Sequence, residues 1–341
     1  HAYLAKRHAV YQSLMGMQLE SNQIAQVNYL VIAERFPERY FNWPAQINVL
    51  ENMLAFDGTK HKLINVCLLL EKLFSTWVLQ KKQMTFHIEE VYKEVAFHST
   101  FNALFPNQEW LRSGTQAAIN ENIKVFCKTH YAEEQLKTRW PHCEFTGFTS
   151  IDYFSPAVNK DFSMFLHVAG KSEQKGTIPL LKAWDKNPQW PQLFVVSRQP
   201  EHASFSNSNI KVISEFLPQE ELILLMNKCG IHLCPSEAEG FGHSINEALS
   251  TGAAIAVTDA APMNEFGEEP FLFNVSERAS RYMSSINKCS VSDIEKTIER
   301  ILTVDHGALQ RMGTRNRTYY LESKKSFENK LINKLNAIFS L

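Results

Sequence analysis

Two carboxylates and several small polar residues crowd into the stretch "PSEAEGFGHSINEAL", Pro235 to Leu249. Glu239 and Glu247 have seven residues between them, with Gly240 and Gly242 beside the first and His243 and Ser244 further along. Carboxylates accept pairs of hydrogen bonds from vicinal hydroxyls, and glycines let a backbone come close to a ligand. The preceding "GIHLC" reads as a buried strand, and Ile245, Ala248 and Leu249 recur at helical spacing after it. That order places Glu239 in the loop leaving the strand's carboxyl end and Glu247 about one turn into a helix. Ligands of open α/β sheets bind at that edge, and a helix start there offers unpaired N–H groups and about half a positive charge. The combination suits a phosphorylated sugar. The same residues also fit a purely local role. Ser244-Ile-Asn-Glu247 matches a capping box, and Glu239 could be a solvated loop acid.

The elements that must position these residues are legible in the second half of the chain. "SMFLHVAG", "QLFVVS", "NIKVIS", "GIHLC" and "AAIAVTD" read as strands, and "KGTIPLLKAWDK", "PQEELILLMNKC" and "SINEALSTG" as helices between them. Strands alternating with helical patterns predict a parallel sheet covered by helices, a Rossmann-like domain. In the first half "VNYLVIA", "LINVCLLL", "MTFHI", "NALF" and "IKVFC" are strand candidates, and "HAYLAKRHAVYQSLM" and "HYAEEQLKTR" helix candidates. A second α/β domain is expected there, with its order open. Four glycines precede residue 160 and nine follow, which concentrates sharp turns and close backbone approaches C-terminally. "FTSIDYFSPAVNKDF" interrupts both patterns and reads as the linker. At 341 residues the chain suits two domains of about 150 residues each.

Composition narrows the function classes. Hydrophobic residues make up 44% and charged residues 21%, as in a globular protein able to build its own core. With 35 basic and 36 acidic residues and no run of five like charges, the charge pattern does not advertise nucleic acid or an anionic membrane. Six scattered cysteines, without Cys-x-x-Cys, favour buried thiols in a reducing compartment. No long apolar run and no signal-peptide pattern is visible, so a cytoplasmic location is expected. The chain starts at His1 rather than methionine, which leaves open whether an upstream piece has been removed.

"SEAEGFGHSINEALSTGAAIAVTDAAPMNE" resembles the signature region of retaining glycosyltransferase family 4, with Glu-Gly-Phe-Gly, four residues, Glu-Ala, a small-residue turn and a buried strand. "VAGKSEQKGT" resembles the family's Gly-Arg/Lys…Lys-Gly segment, "LPQEELILLMNKCGIHLCPS" its helix and strand before the signature, and "IDYFSP" its interdomain entry. The resemblance covers roughly residues 145 to 275. It implies an α/β, GT-B-like fold of two Rossmann-like domains whose parallel sheets face a central cleft. Residues 1–150 would be the acceptor-side domain, 151–320 the nucleotide-sugar domain, and 321–341 a C-terminal helix crossing back to the first.

Carried over residue by residue, the resemblance gives Glu247 the ribose hydroxyls of a nucleotide and sets Glu239 over the donor sugar. Lys171 and Lys175, which follow Gly170, would neutralise the diphosphate, and Glu239, Lys175 and Lys171 would carry the catalysis. The backbone of Gly240, Phe241 and Gly242, with His243 and Ser244, would line the sugar and phosphate pocket. Phe216 is a candidate for packing near the base, with a core role equally open. On the acceptor side, Asn107 and Glu109 cluster with Trp110 in "FPNQEWL", a stretch that also reads as a turn with a half-buried tryptophan. His98 and His87 are weaker candidates there, since a lone histidine is more often structural. The first half departs from the family pattern, because no Gly-Gly or Gly-x-Gly occurs before residue 240.

The implied activity is metal-independent transfer of a sugar from a nucleotide-diphosphate-sugar donor to an acceptor hydroxyl with retention, and without a cofactor. A saccharide, a lipid-linked glycan, a small molecule or DNA with a hydroxymethylated base could be the acceptor, and peripheral membrane contact stays open. A non-catalytic sugar-nucleotide-binding protein is the rival from another class.

Overall fold

The structure, a computed structural model, describes residues 27–28, 82–91, 96, 99–205 and 207–339. The chain divides into two compact units, one made of residues 20–105 and 112–125, the other of 1–19, 106–111 and 126–341. The strands expected in "LINVCLLL" and most of "VNYLVIA", the helix expected in "HAYLAKRHAVYQSLM", and His98 lie outside the described residues.

In the smaller unit, β1 (Val27–Asn28), β2 (Lys82–Glu89), β3 (Ser99–Pro106) and β4 (Ile123–Cys127) are consecutive neighbours in a sheet, with the short helix α1 (Ser113–Ala118) before β4. β1 runs parallel to β2 and β3 parallel to β4, with Asn102 opposite Ile123. Phe86 and Phe105 pack at 5.8 Å between ring centroids. His87 is buried beside them, 3.0 Å from Asn102 Oδ1 through Nε2, and burial pushes its pKa down.

The larger unit holds α2 (His130–Lys137), β5 (Cys143–Phe145), β6 (Asp161–Gly170), α3 (Thr177–Lys186), β7 (Leu193–Ser197), β8 (Ile210–Ile213), α4 (Gln219–Lys228), β9 (Cys229–Cys234), α5 (His243–Ser250), β10 (Ala254–Thr258) and β11 (Leu272–Phe273). A hairpin of β12 (Glu277–Arg281) and β13 (Ser284–Lys288) and two helices, α6 (Val291–Leu302) and α7 (His306–Phe339), follow. Six strands form one sheet in the order β11-β10-β9-β6-β7-β8, and every neighbouring pair is parallel. The chain winds outward from β6 to β8, returns to lay β9 against β6, and then winds outward the other way. The reversal makes the carboxyl ends of β6 and β9 the switch point, where α/β sheets open a crevice.

Burial on both faces explains the near-continuous apolar runs of this sheet, since every residue of β9 and β10 is buried. Trp184 of α3 anchors one side, 5.3 Å from Phe165 between ring centroids, with its indole N–H satisfied by Pro191 O at 2.9 Å. α6 opens on a Ser290–Asp293 capping box and buries Ile294, Ile298 and Ile301, one helical stripe. α7 packs back along the unit. Tyr320 donates to Ser150 O at 2.7 Å, Arg317 pairs with Asp152, and Lys334 pairs with Glu144 at 2.6 Å. The five described cysteines are free and buried. Among the described residues no helix is long and apolar enough to cross a membrane.

Candidate functional site

At the switch point the two loops are bound together by backbone. Glu237 N donates to Gln174 O at 2.9 Å, which ties the loop after β9 to the loop after β6. Gly176, the N-cap of α3, has φ +64 and sits so close to Pro235 that an added Cβ would run into the Pro235 carbonyl oxygen. No L side chain fits there without moving backbone. Gly242 has φ +86 and is the N-cap of α5. Both helices therefore begin at the same edge and turn the positive ends of their dipoles toward it.

Lys175 is the centre of the charged groups. Its ammonium ion-pairs with Glu239 Oε1 and donates to Ser244 Oγ at 3.1 Å. Only 17% of the Lys175 side chain and 11% of the Glu239 side chain remain exposed, so the pair is largely withdrawn from water. Burial alone would lower the lysine pKa. The charge and hydrogen bond of Glu239, with the charge of Glu247, more than offset it and raise the pKa above its ordinary value. Lys175 is thus a fixed cation that feels both acids of the "EGFG…E" stretch. Cys234, at the end of β9, is pushed up to about 12, chiefly by burial, and stays a thiol.

The structure removes the capping-box reading of Ser244 and Glu247. Asn246 N already bonds Gly242 O at 2.9 Å, so the helix starts before Ser244. Ser244 is inside the first turn and takes the Lys175 bond, and no capping box forms. Glu247 is half-buried on α5, and its charge also reaches Tyr153. Phe241 is buried edge-on to Phe148, at 5.3 Å, and to Phe266, at 5.9 Å, so this residue offers its backbone to the edge while its ring anchors the loop. His243 Nδ1 lies 2.8 Å from Ser150 Oγ.

Lys171 is exposed and held through its carbonyl, which accepts from Gln199 Nε2 at 2.7 Å. Gly170 closes β6 at φ +60 with open space where a Cβ would stand. Phe216 is 58% exposed after the edge strand β8, with the Arg198 guanidinium 5.2 Å from its ring centroid, which removes the core role left open for it. Asn107 and Glu109 are buried around a 3₁₀ turn, Gln108–Trp110, and do meet the Glu239 loop. Their side-chain oxygens fill the space a Cβ at Gly240 would need.

Three groups at this edge give no signal in the sequence. Gln108, fully buried, donates from Nε2 to the Glu239 carbonyl at 2.9 Å. Lys128 is a buried cation that donates to Asn107 Oδ1 at 2.6 Å and stands 4.9 Å from the Phe148 ring centroid. His167 donates from Nδ1 to Leu233 O (2.7 Å) and accepts at Nε2 from the Thr177 hydroxyl (2.9 Å), which locks β6 to β9 and to the start of α3. Burial lowers its pKa to about 4, so the ring is neutral. Among the described residues no group of three or more His, Cys, Asp or Glu is arranged to hold a metal.

Residues 150–316 match the model of the family "Glycosyl transferases group 1". Over 188 residues, 55% of this chain, the sequence is 27% identical to the serotype-specific mannosyltransferase WbdA of Escherichia coli, and the match spans 21% of that protein's length. A solved glycosyltransferase from Rickettsia africae superposes with TM-score 0.57 at 13% identity, covering 87% of this chain and 88% of that one. The sucrose-phosphate synthase of Thermosynechococcus elongatus does so with TM-score 0.57 at 14% identity, covering 80% and 76%. These likenesses show the fold, the α/β architecture with parallel sheets of GT-B glycosyltransferases.

Proposed function

We propose that the protein is a retaining glycosyltransferase of the family 4 type, which moves a sugar from a nucleotide-diphosphate-sugar donor to an acceptor hydroxyl. One observation carries the reading: Lys175, ion-paired with Glu239 and bonded to Ser244 in the first turn of α5, is a largely shielded cation at the switch point between β6 and β9. The group 1 match over residues 150–316 covers that whole region.

In this reading the donor diphosphate lies against Lys175 and the α5 N-terminus, with Lys171 approaching from the exposed side. Glu247 holds the ribose diol and Glu239 the hydroxyls of the sugar. As the bond from the anomeric carbon to the phosphate oxygen breaks, negative charge grows on the diphosphate, where Lys175 and the helix dipole are already fixed. The acceptor oxygen bonds to the anomeric carbon on the face the phosphate leaves. Its proton passes to the departing phosphate oxygen, so no separate strong base is needed. The reaction proceeds without a resident metal, and transfer should survive EDTA.

The test is a thermal-shift screen of nucleotide-sugar donors, with a mannose donor first because the WbdA relatives are mannosyltransferases by name. A donor that binds only the folded state raises the melting temperature in proportion to the logarithm of its concentration over its Kd. The donor that shifts it should be consumed by the wild type and not by Glu239→Ala. Failure of uridine, guanosine and adenosine diphosphate donors alike would overturn the assignment, and binding without turnover would leave a binding protein.

A further inference from the structure

Beside the Glu239 edge stands an exposed feature that the proposed chemistry does not use. The β12–β13 hairpin pairs Arg281 with Ser284 and turns through Tyr282 and Met283. At its tip Met283 N donates to Gln108 O at 3.2 Å, and the Arg281 guanidinium lies 3.6 Å from the Trp110 ring centroid. The Tyr282 ring is 6.5 Å from that of Trp110. The same hairpin is fixed to the Glu239 loop by Asn287 N, which donates to Glu237 O at 2.7 Å, while Gln108 Nε2 reaches the Glu239 carbonyl. Hairpin tip, 3₁₀ turn and carboxylate loop are therefore one hydrogen-bonded assembly.

Two features of the tip are costly to keep for folding alone. Trp110 is 42% and Tyr282 53% exposed, although both are large rings that burial would favour. Tyr282 takes φ +47, a left-handed conformation that hairpin turns ordinarily give to glycine or asparagine. Strain of this kind in an exposed residue is an observation from which a binding role can be argued.

We infer that Trp110, Arg281 and Tyr282 form a platform that receives an acceptor saccharide beside Glu239, an inference that rests on the donor-site reading above. A pyranose ring has an apolar C–H face that stacks on indole or phenol, and its hydroxyl rim suits the edge donors of a guanidinium. Arg281 covers one side of the indole and holds it in place, so little side-chain entropy remains to be lost on binding. Tryptophan, tyrosine and arginine are also the residue types that dominate binding energy at interfaces. The backbone bonds through Gln108 and Glu237 fix the distance from this platform to the proposed reacting centre.

The experiment titrates the chain and its Trp110→Ala, Trp110→Phe and Arg281→Ala variants with short gluco- and manno-oligosaccharides, by calorimetry and by transfer kinetics. The expected result is an acceptor KM or Kd raised about tenfold or more in Trp110→Ala and Arg281→Ala. Smaller effects on kcat, recovery in Trp110→Phe and an unchanged donor-induced thermal shift should accompany it. Tyr282→Ala, at the exposed tip, carries the test if Trp110→Ala does not fold. Saccharide binding that is equal in wild type and variants overturns the platform, as does direct binding of a single-stranded oligodeoxynucleotide where no saccharide binds. Loss of donor binding by the wild type itself would instead sink the donor-site reading, and the direct saccharide titration would still judge the platform.

Discussion

The edge around Lys175 and the tip of the β12–β13 hairpin lie within one hydrogen-bonded assembly and are built on opposite principles. At the edge, charge is largely buried and paired, three glycines take positive φ, and neighbouring backbones approach so closely that glycine is obligatory at Gly176. At the tip, aromatic rings are exposed, and β12 is exposed along four of its five residues. The first arrangement holds groups where charge is to develop and tolerates almost no change. The second presents surface to something outside the chain. Chemistry would belong to the first and recognition to the second, and mutations should separate the two.

The largest effect should come from Glu239 and Lys175. Removing either side of a fixed electrostatic site costs about 100-fold or more in turnover. Glu239→Gln should also destabilise the fold by roughly 3 kcal/mol, because it leaves a buried ammonium without its counter-charge. The double variant Glu239→Gln/Lys175→Met should recover most of that stability, measured by urea denaturation, and none of the transfer. Recovery of transfer would reduce the pair to a structural ion pair and dissolve the contrast with the hairpin.

Next in size is Gly176→Ala. Its Cβ would meet a backbone carbonyl rather than a movable side chain, and φ +64 adds left-handed strain, so a loss of about 2 kcal/mol or more is expected. Gly114→Ala is the control. It lies in α1 with nothing within 4 Å of the added carbon, and alanine has the better helix propensity there, so stability should hold or rise slightly.

The architecture of the six-stranded sheet was open to reading because strands buried on both faces leave unbroken apolar runs such as "IHLC" and "AAIAV", with glycines at the turns between them. The meeting of Glu239, Glu247 and Lys175 was likewise legible, since strand and helix order alone sends all three to one sheet edge. Ser244 was ambiguous because the Ser-x-x-Glu pattern arises equally when a left-handed glycine starts the helix two residues earlier. Lys128 and Gln108 were invisible, since their partners Asn107 and Glu239 are brought to them by tertiary structure. The hairpin escaped notice for another reason. "ERASRYMSSINK" has no apolar alternation, because it has little core to face.

A third prediction concerns the neutral histidine that locks the edge from behind. The His167 pKa is about 4 in the folded protein against an ordinary 6.5. The unfolded chain takes up its proton as the pH falls below 6.5, while the folded chain does so only near 4, so stability is full above that range and eroded within it. At pH 5 the loss from this one group is about 2 kcal/mol relative to pH 7.5. Denaturation curves at the two pH values should show a drop smaller by that amount in His167→Gln. An equal drop would place the acid sensitivity elsewhere and loosen the link between β6, β9 and α3.

The smallest effect is expected at Tyr282. A tyrosine in the left-handed region carries about 1 kcal/mol of strain, which asparagine tolerates better. If Tyr282 were present to build the fold, Tyr282→Asn would remove its contact with Trp110 and lower the melting temperature. If it is kept for recognition, the substitution should leave stability unchanged or raise it by less than about 1 kcal/mol, and acceptor binding should weaken. Opposite signs for stability and binding at one exposed residue would mark the tip as a surface retained against the preference of the backbone, a behaviour that nothing at the Lys175 edge should reproduce.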